Sequence, residues 1–498
     1  MRRWGIFLFC LVLFVKAGPI IRDDISQFYV REAFDARYEG VHKDRYKINY
    51  KSNYKNNHKN NYKNNHKNNY KNNHKNNYKE NYRGDNKNNS KKRYSPKVQA
   101  RGTVKNIIIK KKTVEYWFDD FIAVKMKYKN NYKNKSRDCQ IGDRVLVLGL
   151  EEDLDDFYIG DFNYGRHLRS KGCKKYIRIS DMKKVSENPA YRLIGRIKKY
   201  IIDSNRTLYK KNSDILNAVL VADKTTLKDE DKYIFSDSGT SHVMAVSGLH
   251  VGIICGIILI FVGKINSIKR LSILCVFLLF YNCLVGGGPS ISRAILMTIL
   301  SCLGFFVFRQ VDLINILFII ASIMVLQNPY IIYNISFELS FLAMLSLAIF
   351  TKYIKQYVYS DILAGSISVA IFTSPLVLYK FETVSTMGVL GNLVILPMMA
   401  LIICLDMLSI ITYYINIPIY SILAYINSSI IDLVMVLLKR IGDYGVNNID
   451  VRDPSLFKLL TYYIIVVGLA IYLDYYYIEK GKYTRELYLV KEEVVEHI

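Results

Sequence analysis

The chain has 498 residues, 51% of them hydrophobic, and a formal net charge of +26 at pH 7. A charge of that size favours contact with nucleic acid or with an acidic lipid surface. Roughly half of it lies between Lys43 and Lys97. From about Val243 to Tyr477 the chain consists of apolar runs of roughly 16 to 25 residues, long enough to cross a bilayer. So many apolar runs exclude a protein with a single soluble core.

Two basic residues, Arg2 and Arg3, precede a short apolar run from Trp4 to Val15. This pattern predicts a signal-anchor or a signal peptide over residues 1–21. No cleavage site of the A-x-A type follows the run, which favours the anchor. Under either interpretation the next segment is exported.

A tetrapeptide of the type Tyr/His-Lys-Asn-Asn recurs between Tyr50 and Tyr82. It contains no aliphatic residue, so it buries too little surface to offset its chain entropy. We therefore predict that residues 22–97 are a disordered, Lys/Asn/Tyr-rich low-complexity segment. Two roles remain open. The segment is a tether that collects DNA through phosphates and bases, or it is an expanded repeat with no selected role.

The next segment, residues 98–204, contains short runs of β-forming residues with turn residues between them, which predict a small β-barrel. Within it, Asn188-Pro189 predicts the start of an amphipathic helix that lies on the membrane surface or packs on the barrel. Cys139 and Cys173 lack the CxxC spacing of a zinc site. If this segment faces an oxidising exterior, the two thiols are candidates for a disulfide.

Positive charges near the helix ends predict the membrane topology, because cytoplasmic loops carry the excess of Lys and Arg. If the barrel is outside, the charged and uncharged loops alternate correctly as far as Tyr379. The loops at Gly286–Ser290 and Asn328–Tyr330 are uncharged and are predicted outside. The residues predicted inside are Lys264, Lys269, Arg270, Arg309, Lys352 and Lys355.

An ordered series of motifs runs through this part of the chain. The first two are Phe162-Asn-Tyr-Gly-Arg-His-Leu-Arg-Ser-Lys-Gly172 and Gly239-Thr-Ser-His-Val-Met-Ala-Val-Ser-Gly-Leu-His-Val-Gly252. The later ones are Gly286 to Met297, Arg309 with Asp312 and Asn315, Asn328-Pro329, Ser336 to Phe341, Pro375, Phe381, Asn392 and Pro397. In residue type, order and spacing, these motifs resemble those of the ComEC-type competence family over roughly residues 98–415.

The resemblance implies an α-helical polytopic membrane protein with about nine transmembrane helices and an N-terminal, exterior OB-like β-barrel domain. The implied divisions are an OB-like domain over 98–204, an amphipathic connector over 205–242, the competence channel core over 243–415, further transmembrane helices over 416–478 and a short charged tail over 479–498. Many family members also carry a C-terminal metallo-β-lactamase-like domain. Its H-x-H-x-D-H motif is not found in this sequence after the last apolar run.

The function implied is a multi-pass channel in the plasma membrane that takes up single-stranded DNA during natural transformation. The alternative is a ComEC-like membrane scaffold or transporter without DNA transport. Besides single-stranded DNA and the lipid bilayer, the implied partners are a DNA receptor and a cytoplasmic helicase or single-strand-binding proteins. A homo-oligomer is compatible with the sequence. We expect no cofactor and no metal.

Polar groups at membrane depth are costly, so those in the apolar half should face a cavity or a partner helix. The candidate channel residues are His242, Ser247, Gly248, His250, Ser290, Arg293 and Glu338. For Arg293 two interpretations stand: it contacts a DNA phosphate, or it pairs with Glu338. In the exterior domain, lysines beside aromatic residues are typical of single-strand binding. The candidates there are Tyr116, Trp117, Lys125, Lys127 and Tyr128.

No nuclease, ATPase or hydrolase motif is found in the sequence. Ser247 and His250 are three residues apart, but no G-x-S-x-G elbow surrounds the serine. The glycines at Gly286 are not followed by the Gly-Lys-Ser/Thr of a phosphate loop. His242 and His250 would lie roughly 12 Å apart on a continuous helix, too far to share a metal ion. We therefore predict that the chain is not an enzyme.

Overall fold

The computed structural model describes residues 4–18, 20–21, 97–110, 112–127, 139–159, 162–263, 267–306, 312–444, 448–452 and 454–496. The tetrapeptide repeat and its predicted disorder lie outside these residues. The first described element is helix α1 (Trp4–Val12), which continues as a π-helical turn to Ala17. The ring centroids of Phe9 and Phe318 are 5.4 Å apart, so this first helix packs against a helix of the apolar half.

In the segment predicted to be β-rich, the described residues before α3 (Pro189–Tyr209) form eight strands and one short helix. The strands are β1 (Lys97–Thr103), β2 (Asn106–Ile109), β3 (Thr113–Trp117), β4 (Phe121–Met126), β5 (Asp143–Glu152), β6 (Tyr158–Ile159), β7 (Phe162–Asn163) and β8 (Lys175–Glu187). Helix α2 (Tyr164–Ser170) follows the β6–β7 hairpin. The prediction of a β-rich domain is confirmed.

Six of these strands form one sheet in the order β1-β5-β8-β4-β3-β2. Only β4 and β8 pair in parallel; the other neighbours are antiparallel. The pairing among the described residues leaves β1 and β2 as the two edges, so it does not close into the predicted barrel. Gly149, at a register shift between β5 and β8, allows the Arg178 carbonyl to approach so closely that a Cβ would lie 2.2 Å from its oxygen.

Strand β4 supplies alternate side chains to two hydrophobic clusters on opposite faces of the sheet. Phe121 and Ala123 belong to one cluster, and Ile122 and Val124 belong to the other. This alternation explains why the predicted disulfide is not formed. Cys139 packs in the first cluster and Cys173 in the second, and the structure does not bridge them.

The predicted amphipathic helix is confirmed as α3 (Pro189–Tyr209). The Asn188 side chain accepts hydrogen bonds from the backbone N–H groups of Ala190 and Tyr191, and thereby caps it. At its start, Arg192 pairs with Asp143 of the sheet, with 3.2 Å between Nη1 and Oδ1. Apolar side chains of α3, Ile197 and Ile201 among them, pack against the core of the helical half.

The described residues after α3 are mainly helical. The elements are α4 (Ser213–Val221), α5 (Asp229–Asp237), α6 (Gly248–Val262), α7 (Ser267–Val285), α8 (Pro289–Phe306), α9 (Leu313–Gln327), α10 (Ile335–Ile354), α11 (Asp361–Phe381), α12 (Gly388–Tyr414), α13 (Ile419–Tyr444) and α14 (Leu456–Glu496). Two short strands, β9 (Thr383–Val384) and β10 (Ile449–Asp450), pair between α11 and α14. The largest hydrophobic cluster draws on α4, α6, α7, α8, α12 and α13.

Six helices among the described residues are long and apolar enough to cross a membrane. They lie in α7, α10, α11, α12, α13 and the first part of α14, over Leu456–Tyr476. Shorter apolar helices occur at 8–17, Gly248–Val262, Ser290–Leu303 and Leu313–Gln327. A multi-pass membrane protein is therefore confirmed, and the predicted nine crossings would require three of the shorter helices to span as well.

The sheet domain contacts both loops that were predicted to share one side of the membrane. A Cβ on Gly286 would lie 3.1 Å from the Asn106 side-chain nitrogen, so β2 lies against the α7–α8 loop. Helix α2 contacts the α9–α10 loop through Tyr330. The two loops are thus on the same side as the sheet domain, as the charge pattern requires.

The buried thiols give a chemical prediction. Burial raises the pKa of Cys173 to about 12, so its thiol stays neutral and unreactive in the folded protein at pH 8. Mass spectrometry should show that iodoacetamide alkylates Cys139 and Cys173 only after the protein is denatured. No reductant should be needed for this alkylation. Because the thiol of Cys173 is buried in its neutral form, it favours the folded state fully below about pH 9, the ordinary pKa of a cysteine. This stabilisation is lost as the pH rises towards 12, the pKa in the folded protein. A requirement for reductant before labelling would contradict the structure.

Candidate functional site

The first part of the site is the start of α6, within the motif Gly239 to Gly252. The Ser247 hydroxyl lies 3.1 Å from His250 Nδ1, and the Ser247 N–H donates to the same ring nitrogen over 3.2 Å. The two residues form a capping box at the helix N-terminus. His250 is 1% exposed, and its Nε2 has no hydrogen-bond partner among the described residues. A buried imidazole nitrogen without a partner marks a place where a polar ligand or water would be stabilised.

Gly239, the first residue of that motif, allows a close approach of two segments. Its φ is +71°, and a Cβ on it would lie 2.5 Å from the Cα of Gly388. Only glycine combines this backbone conformation with this contact. The start of α12 is thereby held against the segment that leads into α6.

Arg293, on α8, is the second part of the site. Its guanidinium donates to the Ser340 carbonyl and lies over the Phe341 ring, with 5.8 Å from Cζ to the centroid. The side chain is 5% exposed, and its Nε has no hydrogen-bond partner within the described part of the chain. The Ser340 hydroxyl is likewise unpartnered there. Burying a cation with incomplete partners is costly, so the arrangement calls for an anion or water.

The two parts meet at Gly248, where a Cβ would lie 4.0 Å from Arg293 Nη2 and 3.8 Å from the Ala294 Cβ. Four predicted channel residues therefore come together: Ser247, Gly248, His250 and Arg293. We name this set, with the Ser340 backbone and the Phe341 ring, the α6–α8 cluster.

The other predicted channel residues lie around the α6–α8 cluster rather than in it. Ser290 is half-buried, one helical turn before Arg293 on α8. His242 is exposed and lies in the 3₁₀-helix Ser241–Met244, ahead of α6. Glu338 pairs with Lys380, with 3.3 Å between Oε1 and Nζ. Of the two interpretations of Arg293, the ion pair with Glu338 is not formed in the structure, where the Glu338 carboxylate pairs with Lys380 at the end of α11.

The sheet domain is fixed to the membrane half by α2, the helix of the motif Phe162 to Gly172. The Asn328 amide donates to the carbonyls of Arg169 over 2.8 Å and Ser170 over 3.3 Å. Arg169 donates to the Tyr330 hydroxyl over 3.0 Å, and the Asn334 amide reaches the Ser170 hydroxyl over 3.3 Å. Two motifs that are distant in sequence thus bind each other, and the contact is polar and specific.

Asn328 and Asn334 also shape the loop they belong to. The Asn328 side chain accepts from the Tyr330 N–H at 3.1 Å, which caps the 3₁₀-helix Pro329–Tyr333. The Asn334 side chain accepts from the Ser336 N–H at 3.0 Å and caps α10, the helix that carries Ser340. The loop that holds the sheet domain is therefore continuous with the α6–α8 cluster.

The predicted DNA-binding residues of the sheet domain differ in how exposed they are. Tyr116 is 3% exposed and belongs to the core, so it is not available for stacking. Trp117 is half-buried, and Lys171 Nζ lies 5.2 Å from its ring centroid. Lys125 is half-buried, Lys127 is exposed, and Tyr128 lies outside the described residues.

Two exposed aromatic side chains of the β6–β7 hairpin were not predicted from the sequence. Phe162 is 51% exposed and Tyr158 is 38% exposed. The Phe162 and His167 ring centroids are 5.6 Å apart. Burial lowers the pKa of His167 to about 4, so this ring is neutral at pH 7. Phe162 belongs to a motif that the sequence singled out, but only the hairpin geometry shows that its ring faces outward.

The site does not have the arrangement of a hydrolase or a metal centre. The Ser247–His250 pair is a helix cap, and within the described residues no carboxylate orients the imidazole through Nε2. No group of three or more His, Cys, Asp or Glu residues that could hold a metal ion occurs in the described ranges. A cavity of about 160 Å³ lies between α3, α4, α6, α7 and α12, and its lining is entirely apolar.

The fold and site define a multi-pass membrane protein whose sheet domain is docked beside a buried, cationic polar cluster. The family model "Competence protein" matches residues 219–475, more than half of the chain. The chain therefore belongs to the Competence protein family, which confirms the resemblance found in its motifs.

Two curated relatives extend the comparison. ComE operon protein 3 of Bacillus subtilis (strain 168) is 28% identical over 258 residues, which are 51% of this chain and 33% of that protein. An uncharacterized protein of Aquifex aeolicus (strain VF5) is 26% identical over 323 residues, 58% of this chain and 76% of that protein. The chain thus covers about a third of the Bacillus subtilis relative. No solved structure matches the chain.

The docking contact can be tested at Asn328. Replacing it with alanine removes two hydrogen bonds to α2 and the cap of the 3₁₀-helix, each worth roughly 0.5–1.5 kcal/mol. Hydrogen exchange of the purified Asn328→Ala protein should show faster exchange in residues 164–172. Gln327→Ala, an exposed neighbour at the end of α9, is the matched control. Equal exchange in the two variants would show that the sheet domain is held by other contacts.

Proposed function

We propose that this chain is a channel that passes a single strand of DNA inward across the plasma membrane during natural transformation. Membership of the Competence protein family and similarity to ComE operon protein 3 support a role in competence and DNA uptake. The proposal adds the transported species and the route, which passes the α6–α8 cluster.

The observation that carries the proposal is the incomplete satisfaction of Arg293. A guanidinium has five N–H donors and matches phosphate oxygens well. Here it is buried beside a glycine, its Nε is unpartnered among the described residues, and the unpartnered Nε2 of His250 lies in the same cluster. A passing phosphate would satisfy both residues, because each can donate a hydrogen bond to its oxygens. Gly248 leaves room for the DNA backbone to approach the start of α6.

The structure represents a closed form of this route under the proposal. Arg293 and His250, the two residues that would contact the strand, are 5% and 1% exposed. The cluster joins the N-terminal ends of α6 and α8 to the first turns of α10. We propose that these ends separate during transport and expose the cluster to water.

We further propose that the sheet domain lies outside the cell, acts like an OB domain and delivers the strand. Lys125 and Lys127 would neutralise phosphates, while Trp117 and the exposed rings of Tyr158 and Phe162 would stack on bases. Single-stranded DNA and the bilayer are the primary partners. A separate DNA receptor would supply the strand, and a cytoplasmic helicase or single-strand-binding proteins would pull or trap it. Assembly into a homo-oligomer is compatible with this arrangement.

One experiment separates delivery from passage. In cells that depend on this chain for transformation, Arg293→Gln should lower transformation frequency by roughly 10- to 100-fold, because a charged hydrogen bond is worth about 1.5–3 kcal/mol. DNA retained at the cell surface should not change. The double variant Lys125→Gln, Lys127→Gln should instead lower retained DNA and make retention less sensitive to salt.

Arg440→Gln, which removes the same charge from an exposed position of α13, is the matched control and should transform normally. Equal amounts of each variant in the membrane must be shown by immunoblotting. Normal transformation in the Arg293→Gln cells would contradict the proposed phosphate contact. The dependence itself is established first by deleting the gene in the native host; normal transformation of that deletion strain would favour a scaffold or a transporter of another substrate.

A further inference from the structure

A second buried polar group of residues lies in the helical half, outside the α6–α8 cluster. Its members come from four helices that pack in the largest hydrophobic cluster, and most are entirely buried. They are Asn205 and Tyr209 of α3, Asn217 of α4, Asp406 and Ser409 of α12, and Asn427 of α13. Burying six polar residues in an apolar core costs free energy unless they form hydrogen bonds with one another or bind a ligand.

The hydrogen bonds within this group are incomplete. The Asn205 amide nitrogen donates to Asn217 Oδ1 over 3.1 Å and approaches Asp406 Oδ2 at 3.5 Å. The Asn427 amide nitrogen donates to the Tyr209 hydroxyl and to the Ile402 carbonyl, each over 3.2 Å. Tyr209 also interacts with Asp406 and Ser409. The polar atoms of α3, α12 and α13 therefore form one connected network.

The atoms left over are mainly acceptors. Three side-chain oxygens have no hydrogen-bond partner within the described part of the protein: Asn205 Oδ1, Asn427 Oδ1 and Asp406 Oδ1. A single donor, Asn217 Nδ2, is left over in the same group. Each of these residues is 1% exposed or less. A buried network that lacks donors but has oxygens to spare is suited to a cation.

The charge of the group leads to the same conclusion. Asp406 is 1% exposed, and its side-chain interactions in the described residues are with the uncharged Asn205 and Tyr209. The nearby acidic residue Asp432 differs, because it is exposed and pairs with Lys211 over 3.4 Å. A buried carboxylate requires a compensating charge or a proton.

We propose that this network binds one sodium ion, with Asp406 as the charged ligand and Asn205 and Asn427 as amide-oxygen ligands. One carboxylate balances one monovalent cation, whereas calcium or magnesium would leave an excess positive charge in the core. If Asp406 were protonated instead, its O–H group could donate to only one of the two amide oxygens, Asn205 Oδ1 or Asn427 Oδ1. The other amide oxygen would stay unpaired. A sodium ion bound there would join α3, α12 and α13, and would make their packing depend on the sodium concentration.

The direct test is binding of ²²Na⁺ to the purified full-length protein in detergent, measured by scintillation proximity. We expect saturable binding of one ion per chain, displaced by unlabelled sodium but not by choline. Thermal unfolding in sodium chloride should have a midpoint roughly 2–4 °C above that in choline chloride of equal ionic strength. Asp406→Asn should abolish both effects. Asp432→Asn, with the same chemical change on the neighbouring helix, should retain them.

Three outcomes would overturn the proposal. The first is absence of ²²Na⁺ binding to the wild-type protein, which needs no variant to fold. The second is stability that depends on pH but not on sodium, lost in Asp406→Asn, which would assign a proton to the carboxylate. The third is sodium binding that persists in Asp406→Asn, which would place the ion elsewhere. None of these results depends on whether the chain carries DNA.

Discussion

The burial of one cation, Arg293, constrains the rest of the helical half. Its guanidinium is satisfied in part by a backbone carbonyl and an aromatic ring of α10, so α8 and α10 must lie side by side. Helix α6 begins at Gly248 beside the same side chain, and the Ser247–His250 capping box forms its N-terminus there. A guanidinium with all its donors paired would hold these helices together permanently. An incompletely paired guanidinium also holds them together, but its remaining N–H donors are available to an anion.

The α9–α10 loop transmits this constraint to the sheet domain. Asn334 caps the helix that contacts Arg293, and it also binds Ser170 of α2. Asn328 adds two hydrogen bonds to the same short helix, and Gly165 lets α2 lie so close to the Leu154 backbone that a Cβ would be 1.8 Å from its carbonyl oxygen. The sheet domain is thereby attached close to the helix ends that form the α6–α8 cluster, which is the arrangement that the proposed delivery of a strand requires.

Hydropathy, charge and motifs predicted the membrane class, the β-rich domain, the start of α3 at Asn188-Pro189 and the shared side of two loops. They also predicted four of the residues that meet at the α6–α8 cluster, because polar and small residues in apolar helices are rare. Pairings across the fold were not predictable. Glu338 forms its ion pair with Lys380 and not with Arg293. Tyr116 faces the core, and the two cysteines pack on opposite faces of the sheet. Each depends on which elements pack together, and strand alternation or helix period alone does not show this.

The proposed passage of the DNA strand along the α6–α8 cluster can be tested by cross-linking to a strand that is halted during uptake. A photoreactive residue at Ser290, one turn from Arg293, is compared with one at Ile464, an exposed position of α14. We expect covalent DNA adducts at position 290 and none at position 464. Adducts that form on the sheet domain but not at position 290, with the protein folded and the strand engaged, would contradict it.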